Sequence, residues 1–342
     1  MLILFRLRKI IFIGVYMKKI WLVTGAAGFI GSNLCESLLH QNFDVIGLDN
    51  YSTGKKSNIE RISSIECGNF NFVEGDILDN KLVSKLCIMA DVVVHLAAQG
   101  SVQKSFTDIS YNNSQNIDGF INVLTSSGEA GIKNFIYASS CSVYGETGQL
   151  AVAESQCPKP MSPYAISKLY NDLLGFNIRK NYPKMIATGL RFFNIYGPYQ
   201  DPEGDYAAVI PKWINLCMSG DNIKIFGDGS ATRDFCHVDD VIELISKIPL
   251  IKENQAAGVF NIGSGKSTSL FELYSFIKKS LSIYGISVLF EKPEYFNWRE
   301  GDILHSLSDI NNAKRNILFK PKIDLLNGIN NILTTQYKII IR

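Results

Sequence analysis

The chain has 342 residues, 46% of them hydrophobic, enough to bury a large core as one big domain or two smaller ones. A formal net charge of +2 with no block of like charges argues against a nucleic-acid groove or a polybasic membrane patch and leaves small-molecule chemistry. The seven cysteines (Cys35, Cys67, Cys87, Cys141, Cys157, Cys217, Cys236) include no Cys-x-x-Cys pair, the pattern of reduced cytoplasmic thiols with no metal site.

At the start, the apolar run 10–17 is far short of the ~20 residues that span a bilayer, and no small-residue cleavage site follows it. Neither stable membrane insertion nor a signal peptide is expected. Residues 1–16 read as an extension ahead of a natural start at Met17, with a packed or membrane-touching segment as the alternative. A chain begun at Met17 is expected to be fully active.

Residues 20–23 form a short apolar run of the kind found in buried parallel strands, followed by Gly25, Gly28 and Gly31 and then by Leu34, Leu38 and Leu39 at helical spacing. This is strand, tight turn, helix. Gly25 allows the turn, Gly28 lets the backbone approach a pyrophosphate, and Gly31 lets the helix pack on the strand, so that free N–H groups point at a dianion. A second strand, 44–48, ends at Asp49-Asn50, where a carboxylate can accept hydrogen bonds from ribose hydroxyls and repels a 2′-phosphate. NAD is therefore expected rather than NADP.

Strands follow at 69–74, 91–96, 135–139 and 186–192, alternating with helices at 81–89, 112–130 and 163–181. The pattern predicts an α/β fold with a Rossmann-like, doubly wound parallel sheet. After Asn194 the rhythm loosens into short elements punctuated by Gly197-Pro198 and Gly227-Asp228-Gly229, which implies a smaller C-terminal substrate-binding lobe. Residues 259–262 are expected to return to the sheet, so the division into 17–193 and 194–342 is an interleaved one.

Tyr164-Ala-Ile-Ser-Lys168 follows Ser162-Pro163, a helix cap with proline in the first turn, so tyrosine and lysine share one helix face. A free phenol has a pKa of roughly 10, and a cation one turn away favours the phenolate, bringing it into range as a general base. Ser139 to Gly145 ends the fifth strand and offers hydroxyls to share the hydrogen bond. Alone, Tyr-x-x-x-Lys is an ordinary helix turn; here it follows the glycine turn, the acid and the serine run in order.

These motifs, together with Gly75-Asp-Ile77, His95-Leu-Ala-Ala98, Leu190-Arg-Phe-Phe-Asn-Ile-Tyr-Gly-Pro198, Gln200 to Trp213, Arg233-Asp-Phe-Cys-His-Val238 and Arg299 to Ser306, carry a resemblance. From about residue 20 to about residue 316 the chain resembles an extended short-chain dehydrogenase/reductase acting on nucleotide sugars. It is most similar to the UDP-hexose 4-epimerases, especially those handling UDP-N-acetylglucosamine for bacterial surface polysaccharides. The resemblance implies an isomerase that oxidises carbon 4 with a retained NAD and reduces it again on the other face.

By the same resemblance Tyr164 is the base, with Lys168 and Ser140 beside it. NAD would meet Gly25, Gly28, Phe29, Ile30, Gly31, Asp49, Asn50, Asp76, Ile77, Leu96, Ala97, Ala98, Asn116 and Phe193, as well as Tyr164 and Lys168. The UDP-sugar would meet Ser140, Ser142, Asn194, Ala208, Val209, Phe226, Arg233, Arg299, Asp302 and Ser306. Arg233 and Arg299 would clamp the diphosphate, their bland alternative being ion pairs with Asp234 and Glu300. His95 and His237 read as structural. Cys141 and Ser142 stand where 4,6-dehydratases place an acid pair, which disfavours dehydration; UDP-glucuronate decarboxylases are disfavoured more weakly. UDP-glucuronate 4-epimerases remain the main alternative, and a non-catalytic NAD-sensing protein is a more distant one. A tyrosine aligned with Ser306 would crowd a 2-acetamido group and serine leaves room, so UDP-GlcNAc/UDP-GalNAc come first, with UDP-Glc/UDP-Gal also accommodated. A homodimer is implied through a four-helix bundle of helices 112–130 and 163–181.

Overall fold

Seven short runs, most of them apolar, become the strands of one parallel sheet. The computed structural model describes residues 18–148, 150–203, 208–290, 292–298 and 303–340. Its strands are β1 (Ile20–Thr24), β2 (Asp44–Asp49), β3 (Asn69–Glu74), β4 (Val92–His95), β5 (Asn134–Ser140) and β6 (Ile186–Phe192). Then come β7 (Asn194–Tyr196), β8 (Lys224–Phe226), β9 (Thr232–Arg233), β10 (Phe235–His237), β11 (Gly258–Ile262), β12 (Thr268–Ser269) and β13 (Glu294–Phe296).

Among the described residues the main sheet runs β11-β6-β5-β4-β1-β2-β3, and every pairing in it is parallel. The chain moves outward from β1 to β3, then crosses back to start again at β4. A crevice must therefore open at the carboxyl ends of β1 and β4, where the winding reverses. Period-two alternation supplies both faces of the sheet. Val23, Val45 and Val94 join Leu34, Leu38, Val241 and Ile245 in one apolar layer, while Leu22, Ile46 and Val93 join Val83, Phe120 and Val123 in the other. Each fully buried aliphatic side chain stabilises the fold by about 1.5–3 kcal/mol. The result is the doubly wound sheet expected from the sequence.

β11 pairs with β6 after the chain has already built part of the second lobe. That lobe has its own core of Ile210, Trp213, Ile225, Leu273, Ile277 and Ile332. Small strand pairs, β7 with β10, β8 with β13 and β9 with β12, frame it. Its Leu270–Ile283 helix starts with a capping box between Ser269 and Glu272.

The helix expected over 112–130 is instead broken. Ser101 caps Val102–Thr107 and Asp108 caps Ile109–Asn113, each accepting a backbone N–H, and a π-helical turn at Ser114–Asp118 precedes Gly119–Glu129. The extra residue of that turn swings Asn116 inward. Both buried histidines are structural in setting. His95 Nδ1 lies 2.8 Å from Thr24 Oγ1, and burial pushes its pKa down to about 3; burial likewise pushes His237 down to about 4. No helix among the described residues is long and apolar enough to cross a membrane.

Candidate active site

The crevice at the switch point is divided into two clefts. The first, about 250 Å³, is walled by Gly25, Gly28, Asp49, Asn50, Ile77, Leu96, Ala97 and Ala98, all expected from the sequence. Glycine is required here by space. Gly25 sits at φ +73°, and a Cβ on it would come 2.8 Å from Ala97 N, while a Cβ on Gly31 would overlap the Gly25 carbonyl. Bare backbone therefore approaches the cleft floor, a cradle suited to a dinucleotide pyrophosphate. Asp49 is held rigidly at its rim: Oδ2 accepts from Ala27 N at 2.9 Å and Oδ1 from Tyr51 N at 2.7 Å, with burial raising its pKa. Asn50 Nδ2 donates to Asp76 Oδ2 at 2.8 Å, which ties Asp76 to the cleft wall.

Asn116 is buried, where its amide accepts from Gln99 N at 2.8 Å and donates to Gln99 O at 3.0 Å and Ser167 Oγ at 3.2 Å. Its partner Gln99 lines the cleft. Phe29, Ile30 and Gly31 form the start of the Phe29–His40 helix. Ser52, Thr53, Lys104, Tyr111 and Gln115 line it and were not singled out from the sequence. The caps at Ser101 and Asp108 were the available signal for the last three, because the broken helix turns these residues toward the cleft.

The second cleft, about 840 Å³, contains Ser140, Ser142, Tyr164, Phe193, Asn194, Ala208, Val209, Phe226 and Arg233. Residues from 140 to 233 thus converge, as expected. Lys212, Lys224, Trp298 and Ile303 join them unforeseen, and the described lining holds two lysines and an arginine but no carboxylate. Such a wall suits a diphosphate. Arg299 and Asp302 lie outside the described residues. Ser306 stands beside Cys141, within hydrogen-bonding reach of its thiol. Arg233 donates from Nη1 to Thr232 O at 2.9 Å and Leu304 O at 3.1 Å.

Tyr164 lines the second cleft, which shares Gly100 with the first. Ser162 caps its helix, accepting from Ala165 N at 3.1 Å with Pro163 in the first turn, so the cap fixes the tyrosine's direction. The Tyr164 phenol hydrogen-bonds Ser140, whose Oγ also accepts from Ser142 Oγ at 2.9 Å. Lys168, one turn on, is buried and donates to Ala138 O at 3.1 Å, with its Nζ 5.8 Å from the tyrosine ring centroid. The expected tuning by lysine is not what dominates. Burial pushes the phenol up to about 12 against the pull of Ser140, and pushes the lysine down to about 8 against the pull of Asp172. At that range and with its proton pointed at a carbonyl, the ammonium does not offset the loss of water around the phenol.

Residues 21–263 match the sequence profile described as the NAD dependent epimerase/dehydratase family. A putative UDP-glucose 4-epimerase of Methanocaldococcus jannaschii is 38% identical over 322 residues, covering 91% of this chain and 96% of the relative. A UDP-N-acetylglucosamine 4-epimerase from Methanobrevibacter ruminantium, solved with UDP-N-acetylmuramic acid, superposes with a TM-score of 0.83 at 32% identity, covering 94% of this chain and 99% of that one. A mutant UDP-glucuronic acid 4-epimerase from Bacillus cereus, solved with UDP-4-deoxy-4-fluoro-glucuronic acid and NAD, gives a TM-score of 0.82 at 32% identity, covering 94% and 100%.

Proposed function

We propose, from the premise that this chain belongs to the NAD-dependent epimerase/dehydratase family, that it inverts carbon 4 of a UDP-hexose, UDP-GlcNAc and UDP-GalNAc first and UDP-Glc and UDP-Gal also. The observation that carries this reading is the hydrogen-bonded Tyr164–Ser140 pair in the wall of a cationic cleft that shares Gly100 with a glycine-floored one. The floor left open by Gly25 and Gly31 fits NAD, with Asp49 at the ribose and Phe193 and Lys168 toward the nicotinamide end. NAD, when bound, supplies the acceptor for the carbon-4 hydride and a fixed positive charge beside the phenol.

The chain's own residues do the rest. Tyr164 takes the proton of the 4-hydroxyl and later returns it, while Ser140 holds the same oxygen. Arg233, with Asn194, anchors the diphosphate; Ala208, Val209 and Phe226 pack the uridine. A 4-keto sugar tethered only at its UDP end can present its other face to the returning hydride, and no net redox results. Arg299 and Asp302, outside the described residues, remain assigned to the substrate, Arg299 to its diphosphate.

Dehydration needs a carboxyl acid and base, and the described lining offers none, with Cys141 and Ser142 in their place. Room for a 2-acetamido group rests on Ser306 beside Cys141. The second reading, UDP-glucuronate 4-epimerase, draws on the extra cations Lys212 and Lys224 in the same wall. Incubation with each UDP-sugar without added NAD, followed by separation of axial and equatorial products, tests both. Interconversion of the N-acetylated pair supports the first, of the uronates the second, and of none refutes both.

The reading extends to assembly and setting. The Pro163–Asn177 helix exposes Ile166, Tyr170, Leu173 and Phe176, and the neighbouring segment exposes Phe106 and Ile109. A homodimer would bury this apolar face. It draws on 163–177 and 102–113, whereas Gly119–Glu129 packs against Asn80–Met89. All seven cysteines are free, which supports a cytoplasmic setting.

A further inference from the structure

Asp234 follows Arg233 in sequence, yet its carboxylate turns into the protein and is 0% exposed. Oδ1 accepts from Ser264 N and Ser264 Oγ, each at 2.6 Å. Oδ2 accepts from Gly265 N at 3.1 Å, from Ser308 N at 3.0 Å and from Ser308 Oγ. An isolated buried carboxylate is costly unless donors surround it, and these five do so. Space is equally tight, since a Cβ on Gly263 would collide with Ser308 Oγ and lie 2.6 Å from Asp234 Oδ2.

Ser308 belongs to a segment, 304–309, that continues from Ile303 in the wall of the second cleft. Its near end docks on β9, where Thr232 N donates to Leu304 O at 2.9 Å and Ser306 N donates to Thr232 O at 3.1 Å. Its far end is gripped by Asn261, also 0% exposed, whose Nδ2 donates to Asp309 O at 3.2 Å and Val152 O at 2.8 Å. Between those ends the segment is held by the Asp234–Ser308 bonds, by Thr232 Oγ1 at 3.0 Å from His305 Nδ1, and by Val152 N, which donates to Leu307 O at 2.9 Å. Leu304 O receives the Arg233 guanidinium, and Ser306 meets Cys141.

We propose that Asp234 is a positioning residue of the sugar-nucleotide cleft: by latching Ser308 it sets segment 304–309 at the depth that aims Arg233 and places Ser306 against the sugar. This rests on the reading above only for what the cleft binds. A purely structural carboxylate would, when its latch is loosened, lower fold stability and NAD content together. A positioning latch weakens UDP-sugar binding of the folded, NAD-loaded chain beyond the stability that the lost buried bond costs in either case.

The decisive variant is Ser308→Ala, which removes one of the five bonds and keeps the Ser308 N–H; Ser308→Thr restores the hydroxyl, and Gly263→Ala pries the pair apart. Calorimetric titration of the full chain, as purified with its NAD, with UDP-GlcNAc should show about tenfold weaker binding for Ser308→Ala. Ser308→Thr should recover most of that loss, and Gly263→Ala should lose more. NAD content of Ser308→Ala should equal the parent's, and its melting temperature should fall only by the few degrees that one lost buried bond costs. Unchanged affinity in Ser308→Ala, or a loss that merely tracks melting and NAD content, overturns the proposal; should Gly263→Ala fail to fold, Ser308→Ala still decides. Because the readout is binding, a parent chain that binds UDP-GlcNAc without turning it over would sink the function and leave the latch standing, whereas a parent that binds no UDP-sugar sinks both.

Discussion

The two clefts are built in opposite ways. Every described wall of the first comes from residues 25–115: the ends of β1, β2, β3 and β4, the loops just beyond them, and the broken helix that carries Lys104, Tyr111 and Gln115. The second gathers its wall from residues 100 to 303 and from both lobes. The first is therefore a direct product of the sheet: wherever the winding reverses, a groove must form, and bare glycine backbone only has to keep it open. The second exists because tertiary clamps hold loops in place. Damage to the first should cost folding and cofactor together, whereas damage to the second should cost substrate alone.

The sharpest cut falls on the phenol of the second cleft. Tyr164→Phe should lower epimer interconversion by about 10²–10⁴-fold while both clefts stay intact, which product separation and NAD extracted from the denatured protein will read. Retained turnover would remove the phenol from the mechanism. Next, Gly31→Ala forces a methyl into the Gly25 carbonyl and should destabilise the fold by about 2–3 kcal/mol in urea unfolding, with NAD lost in parallel. Full stability with NAD still bound would break the contrast on its cofactor side.

Acid separates the halves by a milder route. His95 lies in β4 under the first cleft and His237 in β10 beneath the second lobe, both neutral when folded. Their folded pKa values lie below the unfolded value of roughly 6.5, so their stability is present in full above that pH and drains away as pH falls toward 4. At pH 5 each should cost about 2 kcal/mol, and His95→Gln or His237→Gln should flatten the acid limb by its own share in urea midpoints measured from pH 8 to 5. The smallest effect is expected from Ser306→Tyr, which should reduce kcat/KM for UDP-GlcNAc about tenfold relative to UDP-Glc and leave stability unchanged. An unaltered ratio would remove Ser306 from the sugar pocket.

The same contrast explains what could be read beforehand. Strand limits fell within a residue or two because short apolar runs bounded by glycine and polar residues leave few alternatives, as in β3 and β6. Gly25, Asp49 and Ala97 were legible because a dinucleotide groove demands them at fixed distances along one stretch. The split of the 112–130 helix was not legible from its apolar periodicity, which a π turn preserves on both sides. Lys224 and Trp298 carried no local signal, for they reach the cleft only through the β8–β13 pairing. Asp234 was weighed as a partner for Arg233, and only the folded chain brings Ser264 and Ser308 to it. The tuning of Tyr164 also escaped, because burial depends on neighbours that one helix turn does not reveal.

The place of β11 has a consequence for the order of synthesis. β6 is buried along its whole length, and the strand that covers its outer edge is completed only at Ile262, some seventy residues after β6 ends at Phe192. While the ribosome is making the second lobe, the dinucleotide half waits with an open, apolar strand edge. A fragment ending near residue 193 would be trapped in that state and prone to aggregate, so the protein cannot be halved at its apparent waist.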